Sequence, residues 1–180
     1  MNKIPTIFIR DMSKQPALVT PEWHPDCLWV RDGEGVPTVK YDGTSCLVRG
    51  GKLYKRRELR PGDPAPADFE SLGTDENTGK TVGWVPVGDG PDDRWHREAM
   101  AIKAWEDGTY ELIGPKIQGN KNHSARHTLI RHGCDPIRDD PRTFEAIKEI
   151  VAMIEIEGLV WHHPDGRMAK IKRRDFGLKW

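Results

Sequence analysis

The sequence predicts an α+β fold built mostly of antiparallel sheets with few helices, on three observations. Gly50-Gly51 separates two strand-like runs, 44–49 and 52–57, and such a pair tolerates the positive φ of a tight hairpin turn. Asp107-Gly108 and Pro164-Asp165-Gly166 punctuate two further pairs of runs, 100–105 with 109–113 and 158–163 with 167–173. Clear helical spacing occurs at Phe144, Ile147, Val151 and Ile154, behind Asp140 as N-cap and Pro141 at the first helical position. That stripe reads as core.

Taken in order, residues 4–9 are β-branched and aromatic and read as a first strand, whereas 16–25 reads as loop because Pro16, Pro21 and Pro25 interrupt it. Val36 and Val39 lead into Lys40-Tyr41-Asp42-Gly43, which places Lys40 at a strand end just before the first hairpin. From 58 to 93 the composition shifts to Pro, Gly and Asp, a surface insert with one short strand at 82–87. Asp92 is placed to cap a short helix through Glu98, and 116–138 is a Gly, Asn, His and basic stretch with a strand at 127–130.

At 180 residues the chain has the length of a single domain with a sizeable core. Lys and Arg total 28 against 28 Asp and Glu, so net charge alone gives no argument for a polyanionic partner. The distribution does. Acids dominate 63–93, with Lys80 the lone base, while Arg167, Lys170, Lys172, Arg173, Arg174 and Lys179 face only Asp165 and Asp175 near the C-terminus. Cys27, Cys46 and Cys134 are odd in number and far apart, which points to a reducing, cytoplasmic setting without a disulfide framework. No stretch approaches the roughly 18 apolar residues of a membrane span.

Each hairpin carries a residue suited to nucleotidyl transfer. Lys40 offers an amine, which attacks phosphorus only when neutral and so must lose a proton held with a pKa of about 10.4 in water. Glu111 and Glu157 supply carboxylates, and Lys170 and Lys172, two apart on a strand, project to one face while Ile171 points to the other. Two ammonium groups on one face can neutralise a phosphate and the charge that builds in its transition state. A solvated basic strand edge is the bland alternative for this Lys-Ile-Lys run.

Lys40-Tyr41-Asp42-Gly43, Glu111-Leu112-Ile113-Gly114, Glu157-Gly158-Leu159-Val160 and Lys170-Ile171-Lys172 occur in the order of motifs I, III, IV and V of the covalent nucleotidyltransferases. Within that superfamily the chain resembles the small single-domain ATP-dependent 5′-3′ RNA ligases of vertebrate type. The further likeness lies in Gly119-Asn120, in the run from His127 to Gly133, and in Trp161-His162. It covers most of the chain from about Ile4 onward and is thinnest across 58–93.

The resemblance implies a ligase-type adenylation domain with flanking helices and no C-terminal OB domain, acting as a monomer. It also implies ATP and Mg²⁺ or Mn²⁺ as cofactors, and RNA with 5′-phosphate and 3′-hydroxyl ends as partner. Lys40 matches the nucleophile that forms lysyl-AMP, with Asp42 and Gly43 of its motif beside the nucleotide. Glu111 matches the ribose-contacting acid, Glu157 the metal-site acid, and Lys170 with Lys172 the phosphate-binding pair. These five side chains are expected to line one cleft. A nucleotide-contacting arginine falls on Arg56 or Arg57, and shared parity with Lys40 favours Arg56. His132 stands where an adenine-stacking ring is sought, or is a buried hydrogen-bonded residue. Arg173 and Arg174 either extend the phosphate path for RNA or pair with neighbouring acids.

Some patterns are decoys. Gly73 to Thr81 resembles a P-loop but has five residues between its glycines, not four, and follows no apolar strand. His162-His163 with Cys27, Cys134 or His132 lacks paired zinc-ligand spacing. Two other functions fit parts of the pattern: a non-catalytic RNA-binding module on the same fold, and a DNA ligase.

Overall fold

The structure is a computed structural model and describes residues 4–13, 15–76 and 78–180. In chain order it contains β1 (Phe8–Asp11), β2 (Leu18–Trp23), α1 (Leu28–Arg31), β3 (Val36–Lys40), β4 (Thr44–Arg49), β5 (Lys52–Leu59), β6 (Glu70–Thr74) and β7 (Thr81–Pro86). Then follow α2 (Arg94–Met100), β8 (Gly108–Ile113), β9 (Thr128–Arg131), α3 (Phe144–Met153), β10 (Gly158–His162) and β11 (Met168–Lys172). The fold is α+β, and the named strands pair antiparallel. Among the described residues no helix is long and apolar enough to cross a membrane. The chain divides into two compact units, Ile4–Tyr41 with Gly133–Trp180, and Asp42–His132.

The first unit holds a three-stranded sheet in the order β11-β10-β3 and the two-stranded ribbon β1-β2. Alternation explains it: Leu159 and Trp161 on β10 lie opposite Ile171 and Ala169 on β11, and all four are fully buried. They pack with Ile7, Phe8, Val30 and the α3 residues Ile147 and Val151 in one core. Residues 18–23 form a strand where a loop was expected. β2 pairs only with β1, so Pro21 lies on an edge strand, where a missing ladder donor is tolerated.

Helix α3 starts later than Asp140 suggests. Thr143 is its N-cap, its Oγ1 accepting the Ala146 N–H at 3.2 Å. Asp140 instead pairs with Arg142, whose guanidinium donates to the carbonyls of Val30, Glu34 and Gly35. At the other end Arg173 donates to the carbonyls of Val151 at 2.7 Å and Ile154 at 2.9 Å, and its Nε to Lys179 O at 2.9 Å. Neither Asp165 nor Asp175 is its partner in these bonds. A cation at the helix C-terminus satisfies exposed carbonyls and meets the negative end of the helix dipole. Arg173→Ala is therefore expected to cost about 2 kcal/mol of stability, the usual scale of charged hydrogen bonds. Urea unfolding measures it, and an unchanged midpoint would show that the cap contributes nothing.

The second unit is a six-stranded sheet in the order β6-β7-β5-β4-β8-β9. One face packs Cys46, Val48, Leu53, Tyr110, Leu112 and Leu129 against Ala99 of α2. The Gly50-Gly51 hairpin is as the sequence suggests, with φ of 56° and 72°. Stretch 58–93 contributes β6 as well as β7 to the sheet. At Gly83 a Cβ would lie 2.4 Å from Glu70 O and from the Phe69 ring, so β6 approaches β7 closely there. No strand forms over 100–105: α2 runs through Met100, and Trp105 turns back to donate to Ala99 O at 3.2 Å and to meet the edge of Tyr110. β8 pairs with β4 and β9 instead.

Candidate functional site

Lys40 ends β3, and the register sets Gly158 opposite it, with Lys172 opposite Gly158 on the far side. Three adjacent strands thus carry Lys40, Gly158 and Lys172 in one row. Gly158 has no room for a side chain, since a Cβ would lie 2.0 Å from Ile171 O and 2.8 Å from Lys172 Cα. Glu157 immediately precedes it and is 7% exposed. Its Oε2 accepts Lys40 Nζ at 2.5 Å, and its Oε1 pairs with Lys172 Nζ. Burial works to raise the Glu157 carboxyl, but the Lys40 charge and hydrogen bonds from Lys172 and Lys40 overcome it and hold the group below the usual carboxylate range.

Lys170 lies on the same strand face as Lys172, while Ile171 between them is fully buried. Burial, then the charges of Lys172 and Lys40, push the Lys170 amine down to about 8, against opposing pulls from Glu157 and Asp175. Asp175 is 3% exposed, accepts Arg10 Nη2 at 2.7 Å and takes the Lys172 N–H at 2.9 Å, fixing the end of β11.

The depressed amine has a consequence for stability. Between about 8 and the ordinary lysine value near 10.4, the unfolded chain keeps a proton that folded Lys170 has released. The unfolded state then binds more protons, so this residue's contribution to stability rises with pH across that window and is unfavourable below it. Lys170→Met is expected to be more stable than the wild type near neutrality, with the difference shrinking as pH rises through the window. Denaturation midpoints of both proteins across that range test it, and a constant difference would contradict it.

Three amines about one carboxylate form a site for a polyanion. A triphosphate fits that donor set, because its oxygens can take over the amines that Glu157 now holds. A divalent cation does not fit beside Glu157 as the side chains stand, since both carboxylate oxygens are bound by ammonium groups and neighbouring Asp175 is engaged by Arg10 and Lys172. No group of three or more His, Cys, Asp or Glu that could hold a metal occurs among the described residues.

The remaining sequence-identified residues lie in the Asp42–His132 unit. Gly43 abuts β8: a Cβ there would lie 2.2 Å from Leu112 O and 2.9 Å from Glu111 Cγ. Asp42 is clamped by Asn122, whose Oδ1 accepts the Asp42 N–H at 3.2 Å and whose Nδ2 donates to Asp42 O at 2.6 Å. Asn122 was not singled out in the sequence, where only its polar, Gly-rich and Asn-rich surroundings stood out. Glu111 meets His132, Oε2 to Nε2 at 3.0 Å, through the edge of the imidazole ring. Arg56 lies opposite Trp84 on β7, on the Glu111 face of the sheet, and Arg57 points to the other face. The P-loop look-alike is the β6–β7 turn, closed by the Thr78 and Gly79 N–H groups on Asp75 O, and leads into a strand rather than a helix.

Comparison with known proteins gives a consistent result. Residues 90–180 match the sequence profile of the RNA ligase 1 family. That segment contains Glu111, His132, Glu157, Lys170 and Lys172, and Lys40 lies before it. Over 99% of this chain and 81% of its relative, the sequence is 26% identical to RNA ligase 1 of Pongo abelii. It is 32% identical to RNA ligase 1 of Mus musculus over 70% of this chain and 46% of that protein. A shorter match, 37% over 84 residues, links it to RNA ligase 1 of Danio rerio, of which it spans 25%.

Proposed function

The chain belongs to the RNA ligase 1 family, and from that premise we propose that it is an ATP-dependent RNA ligase with an adenylation-type nucleotidyltransferase fold. The observation that carries the proposal is the Glu157 carboxylate held between Lys40 and Lys172, with Lys170 alongside.

In the first step the Lys40 Nζ lone pair forms a bond to the α-phosphorus of ATP. The bond from that phosphorus to the bridging oxygen of the β-phosphate breaks, and pyrophosphate leaves with the electron pair. The incoming phosphates draw Lys172 and Lys170, loosening Glu157, and Lys40 gives up its extra proton to solvent water to become a nucleophile. Lys170 and Lys172 then neutralise charge that grows on the leaving oxygens. In the second step an oxygen of an RNA 5′-phosphate displaces Lys40 from the AMP phosphorus. In the third, an RNA 3′-hydroxyl attacks the 5′-phosphorus and AMP departs. Glu111 accepts ribose hydroxyls and Arg56 meets the nucleotide, as the resemblance implies.

The experiment is incubation with α-labelled ATP and a 5′-phosphorylated RNA that also bears a 3′-hydroxyl. Label should appear first on protein, then on the RNA 5′ end, then as free AMP with joined RNA. Binding of RNA with no transfer of label at any stage would reduce the chain to a binding module, and joining of DNA ends alone would make it a DNA ligase.

A further inference from the structure

The residues on either side of Lys40 are both held by Asp135. The Val39 N–H donates to Asp135 O at 2.9 Å, and the Tyr41 hydroxyl donates to Asp135 Oδ2 at 2.6 Å. Asp135 is itself carried on a segment laid along β3: the Ile137 N–H donates to Pro37 O at 2.9 Å, and Thr38 forms an antiparallel bridge with Pro136. Cys134 Sγ adds a second donor to Oδ2 at 3.3 Å. Burial, then the Asp135 hydrogen bond, raise the Tyr41 phenol above its ordinary range, so it stays protonated and remains the donor. A phenol donating to a carboxylate at this length makes a charge-assisted bond, about twice as strong as a neutral one.

The bond matters because of where the Tyr41 carbonyl lies. Lys40 Nζ has two acceptors, Glu157 Oε2 at 2.5 Å and Tyr41 O at 3.4 Å. A neutral amine keeps two N–H groups and one lone pair, so two fixed acceptors and the bond to Cε leave the lone pair a single direction. Glu157 supplies one acceptor from a buried position next to Gly158. The other belongs to a residue just past the end of β3, beyond the ladder that pairs Lys40 with Gly158. The tether of the Tyr41 ring to Asp135 restrains that residue where the ladder no longer does. We propose that Asp135 is a positioning residue for Lys40: by holding Tyr41 it keeps the Tyr41 carbonyl on Nζ and so aims the lone pair along the line of attack. The role rests on the ligase reading above, and nothing in the sequence singled Asp135 out.

The test follows transfer of label from α-labelled ATP to the protein in a single turnover over a range of ATP concentrations. Tyr41→Phe and Asp135→Ala are each expected to lower the maximal rate by about tenfold while the half-saturating ATP concentration stays unchanged, because aim and not nucleotide contact is lost. Asp135→Asn should recover most of the rate, since its amide oxygen still accepts the phenol hydrogen bond. The double variant, Tyr41→Phe with Asp135→Ala, should be no slower than either single, because both remove one bond. Joining of RNA that already carries a 5′ AMP forms no bond to Lys40 and is the control for fold. A variant slowed equally in both reactions has lost structure rather than aim, and would overturn the proposal. So would full labelling rates in Tyr41→Phe and Asp135→Ala, or losses that multiply in the double variant. Wild-type protein that takes no label would defeat the ligase reading, whereas labelled wild type with equally fast variants would defeat the positioning role alone.

Discussion

Lys40→Ala is expected to leave no labelled AMP on the protein. The amine lies 2.5 Å from a buried carboxylate at the end of β3, and the two nearby alternatives are differently placed. Lys172 is one strand beyond Gly158 and is held by the other oxygen of Glu157, and Lys170 lies two residues back along β11. In-line attack needs the amine, phosphorus and leaving oxygen aligned within a fraction of an ångström. A lysine two strand spacings away across the sheet, about 10 Å, cannot replace Lys40 without moving the sheet. The same variant should still seal RNA whose 5′ end already carries AMP, because the last step forms no bond to lysine. Persistent protein labelling in Lys40→Ala would assign the nucleophile elsewhere.

Glu157→Gln is expected to damage both stability and chemistry. Removing one charge from a buried, hydrogen-bonded set leaves Lys40, Lys170 and Lys172 facing each other uncompensated, and breaking such pairs typically costs about 3 kcal/mol or more. The sign with pH follows from the depressed carboxyl. Its stabilisation is fully present above the unfolded glutamate value near 4.3 and is lost as pH falls through the lower folded value. Wild type and Glu157→Gln should therefore converge in stability on acidification. Glu157 also opposes the depression of Lys170, so neutralising it should lower that amine further. Less positive charge at Lys170 and a misplaced Lys40 together predict a fall in adenylylation on the order of 10² to 10³. Full activity in a folded Glu157→Gln protein would show that the carboxylate is a spectator.

Much of the lysine cluster was legible because it depends on two local rules. Period-two alternation put Ile171 inward and Lys170 with Lys172 outward. The Pro164-Asp165-Gly166 turn fixed which strands pair, and so brought Gly158 opposite Lys172. The position of β3 against β10, which delivers Lys40 to Glu157 across 117 residues of chain, is tertiary and came only through motif order. Arg173 shows the opposite failure. Its basic run suggested a polyanion, but the guanidinium is spent on carbonyls about 20 residues upstream, a contact no local pattern announces. β6 was missed because Glu70-Ser71-Leu72-Gly73-Thr74 is an edge strand with little buried surface and hence no hydrophobic alternation. Asp140 lost the N-cap to Thr143 because Arg142 binds it, trading a local cap for an ion pair.

The central claim is that Lys40 becomes covalently bound to AMP. Purified protein is incubated with ATP, quenched in acid, digested, and its peptides are sequenced by mass spectrometry. One AMP should be found on the peptide containing Lys40, absent when ATP is replaced by an analogue that cannot release pyrophosphate. AMP on any other lysine, or an unmodified Lys40 peptide under conditions in which the protein joins RNA, would contradict the claim.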